Sequence, residues 1–156
     1  MSQANEHSVR GVGPTDLSTE LVRLEHTAGT PLPTGSLLLW SAEVHGALLR
    51  VERACPPYFE QLERIRADIA LNDPLRLARV QRLEAEAKHM ATDLAYLHLT
   101  TERLAHTNHP DSPTEFFAAS TLRQDILAWV MELRALEREH DEWQSESLQV
   151  DIGGPG

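Results

Sequence analysis

The chain has 156 residues, with 24 acidic against 14 basic side chains and a formal net charge of −10. Leu, Ala, Glu and Arg make up 69 of them, whereas Val and Ile together number 12 and the aromatics 8. The abundant residues are good helix formers and the scarce ones are those that strands favour, so one all-α domain is expected and the composition argues against a β or α/β enzyme fold. The acidic balance argues against a general nucleic-acid binder, which needs a basic surface to neutralise phosphates.

Met1 to Ser36 lacks the basic start and apolar stretch of a secretory signal. The longest aliphatic-aromatic run is Leu37-Leu38-Leu39-Trp40, far below the roughly 20 residues that span a bilayer. Cys55 is the only cysteine, so no intrachain disulfide forms. A cytoplasmic protein without a membrane segment is the simplest expectation. Cys55 itself reads as a small buried apolar side chain.

In chain order, residues 1–35 read as a flexible N-terminal arm containing a short helix over 16–26, where Leu17, Leu21 and Leu24 are spaced i, i+4, i+7. Gly29, Pro31, Pro33 and Gly35 then break the pattern. A helical bundle is expected over 36–147. Its first helix carries Leu37, Trp40, Val44, Leu48 and Val51 at helical spacing and ends at Pro56-Pro57, because proline suits a first turn and not an interior. A second short helix carries Tyr58, Leu62, Ile65 and Ile69 up to the boundary Asn72-Asp73-Pro74. The third is long, with Val80, Leu83, Ala87, Met90, Leu94, Leu97, Thr101 and Leu104 alternating three and four apart, the narrow seam of bundle or coiled-coil packing. Ser112-Pro113-Thr114-Glu115 forms a capping box and starts a fourth helix with Ala119, Leu122, Ile126, Trp129, Leu133, Leu136, His140 and Trp143 on the same rhythm. Residues 148–156 read as a disordered tail. The predicted architecture is an antiparallel bundle of four main helices, two shorter and two long, with a short N-terminal helix or arm.

Charge orients the two long helices. The third begins with Arg76, Arg79 and Arg82, and the fourth ends in Glu137, Glu139, Asp141, Glu142 and Glu146; each opposes its own helix dipole. An antiparallel hairpin turning near Pro110–Asp111 brings the two sets together, with Arg82 level with Glu139, Arg79 with Glu142 and Arg76 near Glu146. Exposed pairs of this kind contribute only about 0–1 kcal/mol each, but they select the orientation.

Two Glu-x-x-His pairs, Glu86/His89 and Glu137/His140, fall on the long helices. Residues i and i+3 share a helix face, so a carboxylate and an imidazole reach one metal. Through these four residues the chain resembles the ferritin-like di-iron carboxylate proteins, which use two such pairs with a Glu from each of two other helices. The resemblance implies an iron or manganese site completed by Glu43 or Glu52 and by Glu60 or Glu63. The chain departs from that family's helix order, because both pairs fall on the last two helices. His98-x-x-x-Glu102 stands as a single fragment of hemerythrin-like spacing, and no His-x-x-x-His occurs. No Gly-rich phosphate loop, Gly-x-Ser-x-Gly elbow or His-Glu-x-x-His motif is present.

The leading expectation is therefore a small acidic bundle that acts by protein contact, as a homodimer, adaptor or chaperone-like partner, with no resident cofactor. Residues 108–156 carry ten acids against three arginines, an end suited to a partner with a basic surface. If the two short helices cover only half the seam, Trp129 and Trp143 become interface residues, since tryptophan is favoured at interface cores. The competing arrangement has Leu17, Leu21 and Leu24 fold back over that seam. Metal binding is the alternative function.

Overall fold

The computed structural model describes residues 16–31 and 36–152. Four helices pack together: α1 (Leu17–Gly29), α2 (Leu37–Asn72), α3 (Leu77–Ala105) and α4 (Pro113–Ile152), with a 3-10 turn at Pro74–Arg76 leading into α3. No strand occurs among the described residues. The fold is an all-α helical bundle. The start of the expected arm (1–15), residues 32–35 and the last four residues of the expected tail lie outside the described residues. Up to Ile152, the expected tail continues α4.

The helix break expected at Pro56-Pro57 is absent. The two short helices are one helix of 36 residues with both prolines inside it, so the bundle has three long helices and one short one. An interior proline costs about 3 kcal/mol, because it lacks the N–H that bonds the carbonyl four residues back. Here the carbonyls deprived of a partner are those of Glu52 and Arg53. Those residues and both prolines are exposed, whereas Val51 and Cys55 on the opposite face are buried. The loss thus falls on the solvent side, and packing of the inner face carries the helix through.

The α3–α4 hairpin is antiparallel, and of the three expected charge pairs Arg82 with Glu139 forms, while Arg79 meets Glu139 and Glu146 rather than Glu142. Arg82 hydrogen-bonds Glu139, Arg79 lies 3.7 Å from Glu139 and 4.0 Å from Glu146, and Arg103 joins Glu115 at 3.2 Å beside the turn. Arg76 instead turns back to Asp73 at 3.0 Å. The Trp129 indole N–H donates to the Met90 carbonyl at 3.0 Å in the interior, pinning the middle of the hairpin.

Helix α1 is held on α2 and α4. Leu21, Leu24 and Ala28 have no exposed surface. Glu20, itself buried, lies 3.4 Å from Arg50 of α2; Glu25 lies 2.6 Å from Arg134 of α4; and the α1 C-terminal carbonyl of Gly29 accepts from Arg123 of α4 at 3.0 Å. The seam is thus covered by α1 and by the full length of α2.

Candidate functional site

The four residues of the Glu-x-x-His pairs are dispersed rather than gathered. On α3, Glu86 is half exposed and lies 3.4 Å from Arg82, and His89 is exposed and lies 3.3 Å from Asp93. Both line an open groove between α3 and α4 together with Ala135 and Glu139. His140 is buried instead against α2, where Tyr58 meets it edge-on with ring centroids 5.7 Å apart. Glu139 and His140, adjacent and about 100° apart on α4, thus face different neighbours, and the two pairs share no common ion position. The donor atoms that do converge among the described residues belong to His45, His98 and Glu102, within 4.8 Å of one another.

Trp129 and Trp143 are buried within the chain, 3% and 2% exposed. Trp129 is fixed by its bond to Met90, and Trp143 is covered on one face by the Arg79 guanidinium at 4.7 Å. Both rings serve this fold's own core.

Beyond the N-terminus of α1, α2 and α4 enclose a group of polar side chains: Cys55 and Tyr58 from α2, Glu137 and His140 from α4. Burial moves the ionisation of all four. It pushes the Cys55 thiol up to about 12, with the carboxylates of Glu137 and Glu52 adding to the shift, so this buried thiol is held in its unreactive form. It raises Tyr58, aided by Glu137, Asp141 and Cys55. It also raises Glu137, with Asp141 and Asp16 reinforcing and Arg134 opposing. It lowers His140, with Asp141 acting the other way. Desolvation therefore favours a neutral imidazole and disfavours a second negative charge beside Asp141.

The polar atoms of this group are under-satisfied. The Tyr58 hydroxyl, Glu137 Oε1, His140 Nε2 and Trp143 Nε1 are buried and have no hydrogen-bond partner among the described residues. Leaving such an atom unpaired costs about 1–3 kcal/mol. His140 and Trp143 border an apolar cavity of about 200 Å³ between α2, α3 and α4, walled by Phe59, Leu62, Val80 and Leu83. Arg66, Lys88, Glu63 and Glu84 also border it, with Arg66 and Glu84 bridged at 2.9 Å.

Periodicity places His140 on the inner seam of α4. What it misses is the company of Tyr58 and Cys55, because that requires α2 to run unbroken through its prolines. No helix among the described residues is long and apolar enough to cross a membrane. Comparison of the chain with protein-family models, with curated proteins and with solved structures finds no match.

Proposed function

We propose that the chain is a binding protein for a compact, mostly apolar small molecule, held in the cavity bordered by His140 and Trp143. The carrying observation is the apolar cavity itself, walled by Phe59, Leu62, Val80, Leu83 and the Trp143 ring. Apolar pockets with a few placed polar groups are the usual form of a ligand site. The volume is below the roughly 300–1,000 Å³ of drug-sized sites and nearer the roughly 150 Å³ cavity that accepts benzene, so the ligand class is a single ring or short acyl chain.

Acetophenone, one ring with one carbonyl, is a direct probe. It is expected to raise the melting temperature of the wild-type chain and to perturb its tryptophan fluorescence. Ala91→Phe, at the cavity edge, is expected to abolish both effects. No shift at millimolar acetophenone would overturn this reading.

Protein contact stands as a second reading, favoured by a separate observation. Tyr96 and Leu99 of α3 and Phe117 and Met131 of α4 are all more than 60% exposed. At 100° per residue, Tyr96 and Leu99 lie opposite the α3 seam, and Phe117 and Met131, two heptads apart, share the outer face of α4. Leu99→Asp with Phe117→Asp is expected to dissociate a micromolar homodimer in sedimentation. A wild-type monomer that captures no partner would remove it.

A further inference from the structure

A second constellation lies on α2 and α3, away from that cavity. His45 and Glu52 are seven residues apart and so share a face of α2, and His98 and Glu102 are one turn apart on α3. The rings of His45 and His98 stand side by side, centroids 4.7 Å apart and planes tilted by 55°. His98 Nε2 lies 4.0 Å from Glu102. Its other nitrogen, Nδ1, lies 3.4 Å from Glu52 yet makes no hydrogen bond in this geometry, and His45 Nε2 is likewise buried without a partner among the described residues.

We propose that His45, His98 and Glu102 bind one divalent cation of the zinc class, with Glu52 as the carboxylate that orients His98. Two neutral imidazoles and one carboxylate suit zinc and its transition-metal neighbours better than magnesium or calcium, which prefer all-oxygen shells. Donors in a tetrahedral zinc site stand about 3.4 Å apart, so a set within 4.8 Å needs only small side-chain adjustments. Bound through Nε2, His98 turns its Nδ1–H toward Glu52, the carboxylate–histidine–metal relay that fixes tautomer and ring orientation. Glu52 and Glu102 pair with no Arg or Lys among the described residues, while Arg50 meets Glu20 and Arg103 meets Glu115. The partial exposure of His98 and Glu102, 21% and 51%, leaves the fourth position open to water, as in three-ligand zinc sites.

The full chain, stripped with chelator and titrated with zinc ions against a chromophoric competitor, is expected to bind one equivalent and to melt at a higher temperature when loaded. Cobalt ions in place of zinc are expected to give the visible absorption of a tetrahedral site. Glu102→Gln and His45→Gln should each weaken zinc binding at least tenfold, Glu52→Gln by about 10–100-fold, and His89→Gln should leave it unchanged. Glu102 lies half exposed, so its variant decides the matter even if a histidine variant fails to fold. Absence of stoichiometric zinc binding, or binding that survives Glu102→Gln or His45→Gln, would overturn the proposal.

Discussion

The two ends of α2 lie in different surroundings. From Leu37 to Cys55 it packs under α1, and Val44, Ala47, Leu48 and Val51 have no exposed surface. From Pro56 to Asn72 only Ile69 is buried, and Tyr58, Phe59, Leu62 and Ile65 are partly covered. The cause is the length of α1. Its 13 residues span about 20 Å, and α2 continues well past its start. Where four helices close, apolar side chains fill the interior. Where three remain, a cavity opens between α2, α3 and α4. The candidate binding site is thus a consequence of where the fourth helix ends.

The largest effects should come from truncations that compare the two ends. Leu24→Ala or Leu48→Ala, in the closed end, should cost about 2–5 kcal/mol, the range for leucines in tight cores. Leu62→Ala, beside the existing cavity, should cost less than either in urea unfolding. Equal losses would break the comparison.

Proline supplies the next test. Pro57→Ala restores a helical N–H on an exposed position and should stabilise the chain by about 1–3 kcal/mol. A loss of stability would contradict an unbroken α2.

The tryptophans sharpen the contrast further. Trp129→Phe removes the indole bond to the Met90 carbonyl, which keeps its helical partner, and should cost about 0.5–1.5 kcal/mol for that bond. Trp143→Phe forfeits no hydrogen bond, because its N–H has no partner among the described residues, and should cost less.

The smallest effect is on pH dependence. His140 has its pKa lowered by burial, so its contribution to stability is present above the ordinary value of 6.5 and is lost as pH falls through the lowered one. Glu137 has its pKa raised, so its contribution is present below the ordinary carboxylate value of 4.5 and is lost as pH rises through the raised one. His140→Phe should flatten the mildly acidic limb of a melting-temperature profile, and Glu137→Gln should raise stability at neutral pH. An unchanged acidic limb in His140→Phe would contradict the role given to its burial.

Much of this architecture is legible in the sequence. The seam from Val80 to Leu104 and its counterpart from Ala119 to Trp143 repeat over many turns, and the misplaced charges at their ends point to the antiparallel orientation. The Pro56-Pro57 pair misleads because a local rule is overridden by burial of the opposite helix face. That one break has wide consequences. With α2 in two pieces, the company of His140 cannot be placed, and His98-x-x-x-Glu102 remains a fragment without His45 opposite it. Glu86 and His89 illustrate the converse: i, i+3 spacing puts them on one face but does not say that the face looks inward. Nor does spacing say that Glu20, in a polar stretch, is buried beside Arg50; that depends on where α1 docks.

Hydrogen exchange along α2 tests the central claim most directly. The account predicts strong protection of backbone amides from Trp40 to Cys55 and much weaker protection from Tyr58 to Asn72, with acetophenone raising protection in the second stretch alone. Uniform protection along the whole helix would contradict it.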